Sequence, residues 1–561
     1  MRSLLAAALA WSCLAGSAFG QLRTATVPDE IFFNGKIVTV DSAFRIEQAL
    51  AVRAEEVLAV GANEAVRSLA GPNTRFTDLR GHTVIPGLMD NHNHQFNAAW
   101  NRYRGVDTAG VRSKQELLER LRQAVASAKP GEPIITNVGW ADTNVPSPTR
   151  QELDQVSPGH VLVVMRARGT AYLNSAALQA AGITRDTVMV GGNLIPKDAN
   201  GEPTGQIGPP NTVNHVVPML VPWPPIAELI EMIGRMQELQ LAMGLTSIRE
   251  LELKPVAMQA YQEMRRQGRL KMRVSMGLDV QATDWDKLEE ILSSWGVGPG
   301  FGDHWLRLDA VAEFAVDSTL ATALFREPRL NPAGERGTTR ITPDQIRQAM
   351  IAINRYGWRP AIHITGDATL DHVLDAYEAA DKERSIRDRR WIVEHIPYVQ
   401  PDQMERLARL GVLVSAQLQG YAGTSGAARA LGAARANRIF PLREMLDRKI
   451  VVSAGSDWPG EINNPFVNIQ FYVTRKAEDG TLVGPEQKIS REQALRLATV
   501  NNAYFTFEED AKGSLEPGKL ADFLILSDDV LTVPEDRIEQ IKVLATYVGG
   551  KKMHAAPAGG F

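Results

Sequence analysis

Apolar, β-rich runs alternate with capped helical segments through most of this chain, and that alternation constrains its fold more than any other feature. After a run at 83–89 come runs at 133–139, 161–165, 246–251, 272–278 and 306–314, then at 360–364, 391–395, 412–416 and 450–454. Strands that are apolar almost throughout are covered on both faces, and strand–helix repeats join parallel strands. Helix starts between them carry capping signals: Ser113-x-x-Glu116, Thr342-Pro343-Asp344-Gln345 and Ser490-x-x-Gln493. In each, a hydroxyl and a Glu or Gln can satisfy free helical N–H groups reciprocally. The pattern predicts an α/β fold, a (β/α)8 TIM-type barrel over 86–504. Residues 100–240 hold too much polar, Pro- and Gly-rich sequence for tight barrel connections, so an inserted lid is expected at about 100–240.

The two ends read differently. Segments 30–62 and 513–553 carry short strands with turn signals at Gly35, at Asp41-Ser42 and over 513–518. Neither is long enough to bury a core alone. The economical solution is one small β-sandwich built from 21–85 and 505–561 together. Residues 1–20 read as a signal peptide: Arg2, an apolar stretch over 4–18, and Ala18-Phe19-Gly20 before Gln21. The stretch is too short for a membrane span. A buried N-terminal helix and a lipid anchor at Cys13 are the alternatives. Export to the periplasm or the medium is expected. Because Cys13 is the sole cysteine, the mature chain would form no disulfide, and a metal site in it must use nitrogen and oxygen ligands. A net charge of −4, with no basic cluster interleaved with aromatics, gives no electrostatic case for nucleic acid. A small-molecule substrate is the partner expected. The oligomeric state stays open, a homo-oligomer included.

Several apolar runs end on residues that bind metals. The first closes with Asp90-Asn91-His92-Asn93-His94, and residues two apart on a strand share a face. Others lead to Glu313, to His363 followed by Gly366-Asp367, to Glu394-His395, and to Asp457. In a parallel barrel the C-terminal strand ends meet at one mouth, where active sites sit. His92, His94, Glu313, His363, His395 and Asp457 would then form one cluster. Each also has a bland role: a core histidine, a turn cap at Asp457, a salt-bridge partner at Glu313, a helix N-cap at Asp367.

The run Val84-Ile85-Pro86-Gly87-Leu88-Met89-Asp90-Asn91-His92-Asn93-His94 resembles the first-strand signature of the metal-dependent amidohydrolase superfamily. His363-x-x-Gly366-Asp367, Val393-Glu394-His395 and Gly455-Ser456-Asp457-x-Pro459 resemble its fifth, sixth and eighth strand signatures. The branch is amidohydrolase family 3, that of N-substituted formamide deformylase and the YtcJ-like proteins. Gly139-Trp140, 174–178 and 201–205 resemble its inserted region, and 512–522 its return to the β-sandwich. The resemblance implies a hydrolase that cleaves a non-peptide or N-acyl/N-formyl carbon–nitrogen bond with metal-activated water. It implies one or two divalent ions, zinc first among the candidates. It places His92 and His94 on the more buried ion, and His363 and His395 on a second ion or on substrate. It makes Asp457 a ligand and proton shuttle, with His395 or His363 polarising the carbonyl.

Two departures stand out. Where the branch carries a fourth-strand lysine that is carboxylated and bridges two metals, this chain has Glu313, already anionic but shorter. A bridging Glu313 with two ions is the preferred expectation over a single ion. The branch's Gly-His pair in the insertion is replaced by Arg166-Ala167-Arg168-Gly169. Arg166, Trp140, Tyr172 and Trp458 are the candidate substrate contacts, with core packing or a solvated surface as their alternatives. Two other functions are weighed: lactone or ester hydrolysis on the same site, and a non-catalytic periplasmic binding protein with a degenerate site.

Overall fold

The computed structural model describes residues 27–557 and 561, apart from 141–143, 167–169, 189–194, 209–215, 281–284, 286, 418, 423 and 459–463. The expected signal peptide, Cys13, Arg168 and Pro459 lie outside the described residues.

The apolar runs become a parallel eight-stranded sheet: β1 (Leu88–Asn93), β2 (Leu245–Leu253), β3 (Arg273–Leu278), β4 (Leu306–Ala315), β5 (Pro360–Ile364), β6 (Ile392–His395), β7 (Leu413–Ala416) and β8 (Val452–Ala454). Each pairs with the next in parallel register. The ring closes where the segment after β8 meets β1. Asp457 N donates to His92 O at 2.8 Å, and His94 N donates to Trp458 O at 3.0 Å. Asp90 strengthens this seam, accepting from the Ser456 amide at 2.9 Å and from the Ser456 hydroxyl. Gly455 is needed there: a Cβ would stand 2.5 Å from Asn91 Oδ1 and 2.7 Å from His92 Cβ. The α/β barrel expected from the sequence is therefore observed.

Between the strands, Thr342 and Ser490 form full capping boxes with Gln345 and Gln493. Ser113 caps Glu116 N, but Glu116 reaches back to Arg112 N instead of the cap residue. No described helix is long and apolar enough to cross a membrane.

Both chain ends share a β unit. A four-stranded sheet holds Glu30–Phe33, Ala49–Arg53, Glu56–Gly61 and Arg75–Asp78. A six-stranded sheet joins Lys36–Val38, Ile46–Glu47 and Thr83–Pro86 to Phe523–Leu526, Val543–Val548 and Lys551–Ala555. Phe32, Phe523 and Tyr547 pack in its core, the last two stacked at 4.4 Å. Asp522 fastens the unit to the barrel through a two-bonded ion pair with Arg273 on β3, at 2.7 and 2.9 Å.

Between β1 and β2 lies an insertion with its own sheet, in the order Gln206–Ile207, Thr170–Leu173, Leu162–Arg166, Ile134–Ile135. Its core contains Leu117, Leu121, Leu153, Trp140 and Tyr172. The helix Ile226–Ala242 that follows packs on Gln95–Tyr103 and Pro255–Arg266, in the helical layer around the barrel.

Candidate metal centre

Strand alternation sends the apolar neighbours of each site residue outward and the site residue inward. On β5, Ile362 and Ile364 are buried against the helices while His363 faces the mouth. On β4 the register shifts between Ala312 and Phe314, a bulge that turns Glu313 inward while Phe314 packs on Trp285 at 4.3 Å. His92 and His94 leave β1 on one face, their rings 5.1 Å apart.

His92 Nε2 lies 3.5 Å from Asp457 Oδ1 and 3.5 Å from Glu313 Oε2. His94 Nε2 lies 3.4 Å from Asp457 Oδ1 and 4.0 Å from Glu313 Oε2. These spacings exceed good N–H···O hydrogen bonds, which centre at about 2.9 Å. They match metal ligands: two donors about 2.1 Å from one ion, at the tetrahedral angle, stand about 3.4 Å apart. His92 Nε2 is buried and has no hydrogen-bond partner among the described residues. Two groups able to hold an ion result, His92–His94–Asp457 and His92–Glu313–His395. The donor set, imidazole nitrogen and carboxylate oxygen without sulfur, fits a divalent metal ion.

The other nitrogen of His92 explains the first. His92 Nδ1 donates to Glu394 Oε2 at 2.8 Å, so the lone pair is on Nε2 and aimed at the cluster. Glu394 also accepts from Arg249 Nη1 at 2.8 Å, and Arg249 Nε donates to Asp309 Oδ2. Asp309 in turn pairs with Arg359. All five side chains are almost fully buried, a charge chain running under the site from β1 through β6, β2 and β4 to β5. Burial alone would push the Glu394 carboxyl up, but the Arg249 guanidinium and the hydrogen bond from His92 hold it down at about 2. Glu313 behaves alike: burial opposes its charge, and His92 and His363 still hold it well below the usual carboxylate range.

Glu313 faces both halves of the cluster. While Oε2 faces His92 and His94, Oε1 accepts from His363 Nδ1 at 3.1 Å and from His395 Nε2 at 3.2 Å. His363 Nε2 also contacts Ser318 O at 3.2 Å, so both its ring nitrogens are engaged, and it belongs to neither candidate ligand group. Accessibility separates the pair: the His363 side chain is 23% exposed and that of His395 only 2%. Asp457 is 25% exposed, a carboxylate open to the mouth.

All six cluster residues expected from the sequence therefore converge. The expected substrate contacts are placed differently from one another. Trp140 and Tyr172 are buried in the core of the inserted sheet, rings 5.8 Å apart. Arg166 lies over Trp140 at 4.6 Å and donates to Ser147 Oγ. Trp458 follows Asp457 and helps to line a cavity of about 500 Å³ with Arg102, Tyr103 and Arg235. Asp367, weighed above as a helix cap, sits one residue inside its helix and accepts from Arg326 N and Gln400 Nε2.

Sequence reasoning gave no role to Glu394, Arg249, Asp309 or Glu250. Glu250 accepts from the amides of Gln95 and Phe96, capping the helix that begins at His94. Its carboxyl is pushed up to about 8 by burial. The available signal was the presence of Arg249 and Glu250 inside the apolar run 246–251, where a charge needs a partner.

Known proteins fit this geometry. The amidohydrolase family model matches residues 75–554. Protein LONG AFTER FAR-RED 3 of Arabidopsis thaliana is 29% identical over 549 residues, covering 94% of this chain and 92% of that one. N-substituted formamide deformylase of Arthrobacter pascens is 26% identical over 545 residues, covering 93% and 97%. A crystal structure of an uncharacterized metal-dependent hydrolase from Pyrococcus furiosus matches with a TM-score of 0.72 at 27% identity, covering 90% of this chain and all of that one. With buried His/Glu/Asp clusters at the mouth of its barrel, the chain belongs to the amidohydrolase family as a metal-dependent member.

Proposed function

We propose that this chain hydrolyses a non-peptide carbon–nitrogen bond of the N-acyl or N-formyl type, after export, with zinc as the first candidate ion. The observation that carries the reading is His92: one nitrogen held by buried Glu394, the other buried, without a hydrogen-bond partner among the described residues, and aimed at Asp457 and Glu313. Similarity to a formamide deformylase supports the bond class. The export component rests on the sequence of residues 1–20 alone.

A divalent ion supplies water of lowered pKa and a polarised carbonyl. Asp457 is placed to take the proton of the attacking water and return it to the leaving nitrogen, since it is charged, beside both first-strand histidines and open to the mouth. His363, the more accessible of the two facing imidazoles, is assigned to the carbonyl oxygen, which would replace Ser318 O as the partner of Nε2. His395, shut behind Glu313, is assigned to ligation. Glu313 offers an oxygen to each half and would bridge the ions if two were bound. Trp458 and Arg166 are assigned to the pocket wall, and Trp140 and Tyr172 to holding the insertion that carries Arg166.

The test joins metal quantification, without chelator in purification, to turnover of a matched formamide and formate ester. Bound divalent metal with the formamide preferred is the expected result. Preference for the ester would transfer the assignment to ester or lactone chemistry. A protein that retains no metal and turns over neither compound would refute the reading and favour a binding protein.

A further inference from the structure

The connection from β4 to the helix Pro343–Arg355 carries four arginines, and three of them hold the connection together. Arg326 pairs with Asp371 and Asp402. Arg329 donates to Leu320 O and Ala323 O. Arg336 donates to Phe325 O. Arg340 differs. Its backbone is fixed on both sides: Thr338 N donates to Thr322 O at 3.0 Å, Arg340 N donates to Val316 O at 2.8 Å, and the Thr342 capping box follows. Its guanidinium, half-buried, forms no hydrogen bond or ion pair among the described residues.

The place of Arg340 is the mouth of the barrel. Val316, its backbone partner, follows the end of β4 and itself donates to His363 O. The guanidinium lies in the field of Asp317, Glu252 and Glu313, with none of them close enough to pair. Asp317 is already used, accepting from the amides of Thr365 and Gly366. Glu252, at the end of β2, is 4.0 Å from His94. A guanidinium stays charged at any working pH, and a half-buried one without a partner is costly unless an anion completes it. Its planar donors match a carboxylate through two parallel bonds.

We propose that Arg340 is a specificity-determining residue that binds a carboxylate on the substrate, so that the substrates are N-acyl or N-formyl compounds bearing a carboxylate beside the scissile amide. This rests on the amide-hydrolase reading above. Two arms separate the two. In the kinetic arm, the metal-loaded protein is given N-formyl-phenylalanine and its neutral counterpart N-formyl-phenethylamine. The acid should be favoured in kcat/KM, and Arg340→Met should cost it about 100-fold while changing the neutral compound little. In the binding arm, calorimetry compares 3-phenylpropanoate with 3-phenylpropanol, neither of which can be hydrolysed. The wild-type protein should favour the acid, Arg340→Met should remove that preference, and Arg340→Lys should restore part of it. No acid preference in the wild type, or one that Arg340→Met leaves intact, overturns the assignment and makes Arg340 a water-separated counter-charge for Glu252 and Asp317. Absence of turnover on both formamides, with acid preference intact in calorimetry, would refute the amide chemistry and leave the carboxylate subsite standing.

Discussion

Replacing Glu394 with Gln tests the site from beneath. Glu394 is fully buried between His92 Nδ1 and Arg249 Nη1. The substitution keeps the shape and removes the charge. It leaves Arg249 with Asp309 as its one charged partner among the described residues, and it weakens the bond that holds the His92 lone pair on Nε2. The carboxyl falls from 4.5 to about 2 in the folded protein, and that difference is worth about 3 kcal/mol of stability, an order of magnitude matching the loss of one partner from a buried pair. Removing a partner of a ligating histidine typically costs about 10- to 100-fold in metal affinity. Two measurements follow: zinc titration of the metal-free protein against a chromophoric chelator, and urea unfolding of the metal-free protein at pH 7. The expected result is a weaker zinc affinity by that factor and a lower unfolding midpoint. Zinc affinity within about threefold of wild type would refute the view that Glu394 orients His92. An unchanged midpoint would refute the ascription of stability to the charge chain.

Three further outcomes are expected. Glu313→Gln should lower bound zinc, by elemental analysis, from two ions per chain toward one, since a neutral amide is a poor bridge; unchanged metal content and activity would sink the bridging role. Asp457→Asn should reduce kcat by about 100-fold or more, and near-normal kcat would move the proton transfer elsewhere. Far from the site, Glu508 is buried, yet Lys512 at 2.7 Å, His304 and Arg307 hold its carboxyl well below the usual range. Its contribution is full above the ordinary carboxylate pKa and is lost as acid protonates the folded form. Glu508→Gln should therefore lower the thermal midpoint at pH 7 and converge with wild type in strong acid; a deficit that does not vary with pH would refute the charge account.

Which parts were legible follows from what local sequence encodes. The alternation of apolar runs with capped helices was enough for the barrel, because burial on both faces leaves a continuous apolar imprint. The six cluster residues were legible because each ends a strand, and parallel strand ends share one mouth. Individual roles were less so. His363 and His395 look alike in sequence, yet the first is partly accessible and the second almost fully buried against Glu313. Trp140 and Tyr172 were candidate pocket residues with core packing as their default role, and the inserted sheet decided for the core by closing over both.

By itself, then, the sequence determined the class of fold, the sharing of a β unit by the two chain ends, and the donor types at the mouth. These depend on periodicity and on the chemistry of single residues. Only the tertiary structure decided that His92 is oriented by a buried chain through Glu394, Arg249, Asp309 and Arg359, and that one of the four guanidinium groups at the β4 connection has no partner among the described residues. Pairing of buried charges depends on which strands become neighbours. That choice is made by closure of the whole barrel, and no local pattern records it.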